Sequence, residues 1–178
     1  MIFTKTKIKG VFVIDLEPRG DGRGYFTRVF CKNELKRQGI SYNIVQINRS
    51  LSEDKGTIRG LHFQKFPKEE DKIVQCLKGE IFDVALDLRR DSDTFGRWVG
   101  EELSSSNKKM LLVPKGCAHG FQTLERDTLV EYFVSQYYSS KEEGGIRWND
   151  PYFNVKWPLK KVTTSKKDSE WKLWEEKK

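Results

Sequence analysis

The chain is a succession of short strand-like segments cut by turn residues, with a single clear helical stretch, and that spacing leaves few architectures open. Strands are expected at Gly10–Asp15, Tyr25–Phe30, Ser41–Leu51, Thr57–Gln64, Gly96–Leu103, Met110–Val113 and Thr128–Gln136, with a glycine-rich loop at Pro18–Gly24. Ile73–Leu77 and Glu80–Leu88, joined at Lys78-Gly79, read as a hairpin. Asn33–Gly39 reads as about two turns of helix, with Asn33 as N-cap and Gly39 just past the C-terminal end. So many short strands and so little helix predict an all-β sandwich or barrel. At 178 residues, one domain spanning 1–178 is expected.

The 33 basic residues exceed the 26 acidic ones by seven, a balance that suits an anionic partner. Much of the excess lies near the two ends, at Lys5, Lys7 and Lys9 and again at Lys160, Lys161, Lys166, Lys167, Lys177 and Lys178, where solvated lysines are the simpler explanation. No basic-aromatic stripe or motif supports a nucleic-acid partner. Cys31, Cys76 and Cys117 show no C-x-x-C spacing and cannot all pair with one another, so free thiols in a reducing compartment are expected. With no apolar leader segment and no long apolar run, the expectation is a cytoplasmic protein without a membrane partner.

Chemistry concentrates in Arg59-Gly60-Leu61-His62-Phe63-Gln64, which holds one of the 2 histidines. A histidine titrates near neutral pH and suits proton transfer, although a lone strand histidine is more often structural. Simple alternation puts Arg59 and His62 on opposite faces, so a shared site requires an irregular strand, with a bulge at Gly60. In Ser41–Leu51, Ile44, Gln46 and Asn48 fall on one face and Val45 and Ile47 on the other.

The second histidine closes Pro114-Lys115-Gly116-Cys117-Ala118-His119, a P-x-G-x-x-H pattern that resembles a motif of cupin jelly rolls. Metal-binding cupins place two histidines and a glutamate in another motif, and here Gln64 stands where the second histidine would be, so no metal is expected. Read together, DGRGYF, QINRS, RGLHFQ, DKIVQCLKGEIFDVALDLR, SDTFG, PKGCAHGF, YYSSKEEGGIRWND and WP resemble the dTDP-4-dehydrorhamnose 3,5-epimerase family, in order from about Lys7 to Pro158, with a further match at Asp168. The resemblance implies a cupin-like jelly-roll barrel with a few short helices, no metal or cofactor, a homodimer, and a nucleotide-diphosphate-linked 4-keto-6-deoxy sugar as substrate.

Epimerisation beside a ketone needs a base, a donor for the enolate oxygen and an acid on the opposite face. By resemblance His62 is the base, Asp168 the carboxylate that orients it, Tyr132 the acid and Lys72 the cation for the enolate. Asp83 and His119 match polar members of the same pocket. Arg59 and Arg23 match diphosphate contacts, while Gln46, Asn48, Phe26 and Tyr138 match positions lining the sugar or nucleotide. The segment around Arg23 and Phe26 is expected to reach into the partner subunit's site.

Departures from the family pattern fall at Arg28, Glu70-Asp71, Trp171 and Trp174. Arg28 replaces a glutamate that reads thymine. Arginine offers donors and no acceptor and suits the O6/N7 edge of guanine, so a GDP-linked substrate is expected, with dTDP as the alternative. A related 3,4-ketoisomerase or a catalytically silent sugar-nucleotide binder are the rival readings.

Overall fold

The computed structural model describes residues 1–175, so Lys177 and Lys178 lie outside the described residues. The chain runs through β1 (Ile2–Lys5), β2 (Phe12–Asp15), β3 (Arg19–Asp21), β4 (Gly24–Phe26), α1 (Lys32–Arg37), β5 (Gln46–Ser52), β6 (Ile58–Gln64) and β7 (Lys72–Lys78). It continues through β8 (Glu80–Asp87), β9 (Trp98–Ser104), β10 (Lys109–Val113), β11 (Cys117–Thr123), β12 (Thr128–Val134), β13 (Glu143–Gly145) and α2 (Lys166–Glu170). Among the described residues, β1-β2-β10-β7-β12-β5 form a six-stranded sheet and β13-β6-β11-β8-β9 a five-stranded one, antiparallel throughout, with β3-β4 as a separate hairpin. This is the expected all-β, cupin-like architecture. No described helix is long and apolar enough to cross a membrane.

The facing sheets share a core built from Val74, Leu111 and Val130 on one side and Ile81, Leu103 and Phe121 on the other. Each sheet is also covered outside. Leu35 of α1 and Tyr42 pack on Ile14, Ile73, Met110 and Leu112, while Ile146 and Phe153 pack on Leu61, Val84 and Leu86. Burial on both faces explains why β10 reads as a near-continuous apolar run rather than as alternation.

Several sequence expectations need correction. The hairpin expected at Lys78-Gly79 is absent among the described residues, because β7 pairs with β10 and β12 whereas β8 pairs with β11 and β9. Gly79 (φ 77°) turns the chain from one sheet to the other, passing so close to Thr128 that a Cβ would fall 2.6 Å from its Oγ1. The Pro18–Gly24 loop is part of the β3-β4 hairpin, and the following strand stops at Phe26 instead of Phe30. Cys31, not Asn33, is the N-cap of α1, while Gly39 takes the left-handed conformation expected of it, with φ 75°. The strand expected from Ser41 begins only at Gln46.

The irregularity expected at Gly60 is present. His62 stands opposite His119 but Arg59 opposite Phe121, so three steps along β6 match two along β11. Gly60 has φ 122°, its peptide with Leu61 is cis, and a Cβ there would sit 2.7 Å from both Gly120 Cα and His119 O. Gly60→Ala is expected to cost roughly 3 kcal/mol of stability and lower the Tm by about 10 °C in thermal unfolding. A Tm unchanged within about 2 °C would mean that β11 gives way.

Candidate active site

The site grows from a strand whose polarity is inverted. On β5 the inward positions are Gln46, Asn48, Ser50 and Ser52, while Ile47 and Leu51 point out and are 56% and 53% exposed. Polar groups line the space between the sheets at this edge, and two clefts of about 440 and 360 Å³ open there. His62, Lys72 and Tyr132 belong to both. The larger cleft adds Arg59, His119 and Asp168, and the smaller adds Gln46, Asn48, Glu70 and Tyr138.

His62 Nε2 lies 2.6 Å from Asp168 Oδ1. When Asp168 accepts the Nε2 hydrogen, Nδ1 keeps its lone pair, the form a base requires. Asp168 reaches His62 from α2, whose first turn is capped by Ser165 Oγ accepting from Asp168 N at 3.0 Å. The Gly60 N–H also donates to Asp168 Oδ2 at 3.3 Å. Burial pushes the Asp168 carboxyl up, but the hydrogen bond and charge of His62, with help from Gly60 and Ser165, outweigh it and hold the group below its ordinary value. The carboxylate is therefore ionised at neutral pH and suited to balance a protonated imidazole.

Across the cleft, burial raises the Tyr132 phenol above its ordinary value, with the charge of Glu70 adding and Arg59 opposing. It remains a proton donor at neutral pH. Lys72 is nearly buried and its Nζ sits 3.0 Å from Glu70 Oε1, so the cation expected to meet an enolate oxygen is shared with a carboxylate. His119 Nε2 is 2.7 Å from Asp83 Oδ1. Asp83 is fully buried beneath His119, where its carboxylate supports the imidazole. Burial pushes its carboxyl up against the opposing effects of His119 and Lys72.

Arg59 is fixed at the cleft by Nε to Ser52 Oγ (3.0 Å) and Nη2 to Leu51 O (2.8 Å). Tyr138 N donates to Gln46 Oε1 at 3.0 Å, and its hydroxyl to Glu143 Oε2 at 3.1 Å. Gln64 holds the backbone of the 137–139 turn, accepting from Ser139 N at 2.6 Å and donating to Tyr137 O at 3.2 Å. Arg23, Phe26 and Arg28 are not brought to His62 within the chain. Arg23 pairs with Asp21 on the β3-β4 hairpin, where Tyr25 and Phe26 are 60% and 70% exposed.

Sequence reasoning missed Glu143 and Lys167, which bond one another at the rim, and noted Glu70 only as a departure. It also missed α2, although Ser165-x-x-Asp168 is a capping pattern that marks a helix start.

A cupin-like barrel with a histidine-carboxylate pair facing a tyrosine and a lysine defines a class, the isomerases that move protons on carbohydrate carbon. Within that class, the family model described as dTDP-4-dehydrorhamnose 3,5-epimerase matches residues 5–176, and the chain belongs to this family. It is 44% identical to the enzyme of that name from Sinorhizobium fredii over 95% of this chain and 87% of that one. It is 41% identical to the one from Methanothermobacter thermautotrophicus over 96% and 92%. The Bacillus anthracis enzyme, crystallised with TDP and pyrophosphate bound, superposes with a TM-score of 0.94 at 43% identity over 97% of this chain and 99% of that one. The Legionella pneumophila enzyme, in complex with dTDP-4-keto-L-rhamnose, gives 0.91 at 40% identity over 97% and 92%.

The expected GDP-linked substrate finds no support in these relatives, which are named for dTDP sugars. Within the chain, Arg28 Nη1 donates to Glu34 Oε1 at 3.0 Å.

Proposed function

We propose that this chain inverts C3 and C5 of a dTDP-linked 4-keto-6-deoxy sugar through enolate intermediates. The observation that carries the reading is the sharing of His62, Lys72 and Tyr132 by two adjoining clefts, one holding Arg59 and the other Gln46 and Asn48. The diphosphate lies toward Arg59 and the sugar between His62 and Tyr132. His62 removes the proton made acidic by the neighbouring ketone, and Asp168 balances the resulting imidazolium. Lys72 exchanges Glu70 for the developing enolate oxygen, where a cation in a partly desolvated site is worth more than in water. Tyr132 returns a proton from the opposite face. The decisive assay incubates the protein with dTDP-4-keto-6-deoxyglucose in deuterated, chelator-treated buffer and follows deuterium at C3 and C5 by NMR. Deuterium at neither carbon would end the reading, and incorporation that depends on an added divalent metal would end its metal-free form.

The active unit we propose is a homodimer in which the β3-β4 hairpin, with Arg23 and Phe26, enters the partner's cleft. Its exposed aromatics and the exposed Ile47 and Leu51 on the edge strand β5 support this reading. Arg23→Ala and His62→Asn chains, each nearly silent alone, are expected to regain activity when unfolded together and refolded as a mixture, because a mixed dimer then holds one intact site. No recovery would place Arg23 outside the partner's site.

A further inference from the structure

We propose that Trp171 is a positioning residue for this reaction, its indole seated on Gly145 so that the helix bearing Asp168 is held against His62. The contacts form a closed circuit. Gly145 on β13 stands opposite His62 in the β13-β6 ladder. A Cβ on Gly145 would fall 2.1 Å from Trp171 Cε2, so the ring rests directly on the glycine backbone. Trp171 is the C-cap of α2, and three residues earlier Asp168 returns to His62 at 2.6 Å.

The need for such a clamp follows from the size of α2. A helix of 5 residues has no stability of its own and keeps its place only through neighbours. Ser165 fixes its first turn. Its far end is fixed by Trp171, whose carbonyl accepts from Arg147 Nε at 3.0 Å and whose ring lies 5.9 Å from Lys167 Nζ. Lys167 in turn donates to Glu143, at the start of β13. The indole thus ties α2 to the strand that neighbours the base.

The proposal rests on the proton-transfer reading of His62. Its test compares Trp171→Leu, Trp171→Phe, Gly145→Ala and the Gly145→Ala/Trp171→Leu double variant in the deuterium and inversion assays. Trp171→Leu and Gly145→Ala are each expected to lower kcat about ten- to a hundredfold, with KM held within about threefold. Trp171→Phe, which keeps an aromatic face, is expected to retain most of the rate. Because both lesions break one contact, the double variant should be no slower than the slower single. Single variants within about threefold of the parent kcat, losses that multiply in the double, or losses confined to KM would overturn the proposal. Should Gly145→Ala fail to fold, the contrast between Leu and Phe at 171 decides alone. Absence of exchange in the unaltered protein would instead defeat the reading of His62 as base.

Discussion

His62→Asn is expected to lower both deuterium incorporation and net inversion by about three orders of magnitude or more, while dTDP affinity stays within about tenfold. Asparagine keeps a polar group facing Asp168 but has no nitrogen that accepts a proton at neutral pH. The ring is also only part of the cleft wall, since Arg59 is held by β5 through Ser52 and Leu51 and does not depend on it. The loss should therefore fall on kcat. Near-normal exchange in this variant, measured by NMR under single-turnover conditions, would remove His62 from the mechanism.

Tyr132→Phe should separate two events that His62→Asn abolishes together. Deprotonation on the histidine side continues, so washout at C3 or C5 persists, while net inversion falls by about two to three orders of magnitude for want of a donor opposite. The same residue sets an expected alkaline limit. With burial and Glu70 raising its phenol above the ordinary value near 10, the protonated form persists as pH rises past that point. Inversion should decline only above about pH 10. Equal loss of washout and inversion in Tyr132→Phe, or an alkaline limb near pH 8, would remove Tyr132 from the acid role.

The sequence announces β-structure because alternation and turn residues are local, and the kink at Gly60 was readable because Arg59 and His62 could share a site only if the strand were irregular. Pairing is not local. Two apolar runs flanking Lys78-Gly79 look like a hairpin whether they pair with each other or leave for opposite sheets, and only their partners distant in sequence, β10 and β12 for one and β11 and β9 for the other, distinguish the two. Asp168 illustrates the same limit. A carboxylate among lysines reads as solvated until α2 is known to dock on β6, and without the family resemblance nothing near it in sequence points to His62. Arg28 differs again: its donor inventory is legible in the sequence, but not that its Nη1 meets Glu34 in the first turn of α1, away from His62 within the chain.

Of the residues gathered around the base, Asp168 is the last in sequence, following every strand of the barrel. During synthesis the strands leave the ribosome first, and the 163–168 segment, which lines the larger cleft and carries Asp168, follows them. A growing chain therefore completes its barrel before it can close the cleft or bring a carboxylate to His62. A chain clipped ahead of Ser165 would lose part of that cleft's wall together with the carboxylate beside His62, so a single cut would strike the shape of the site and its chemistry at once.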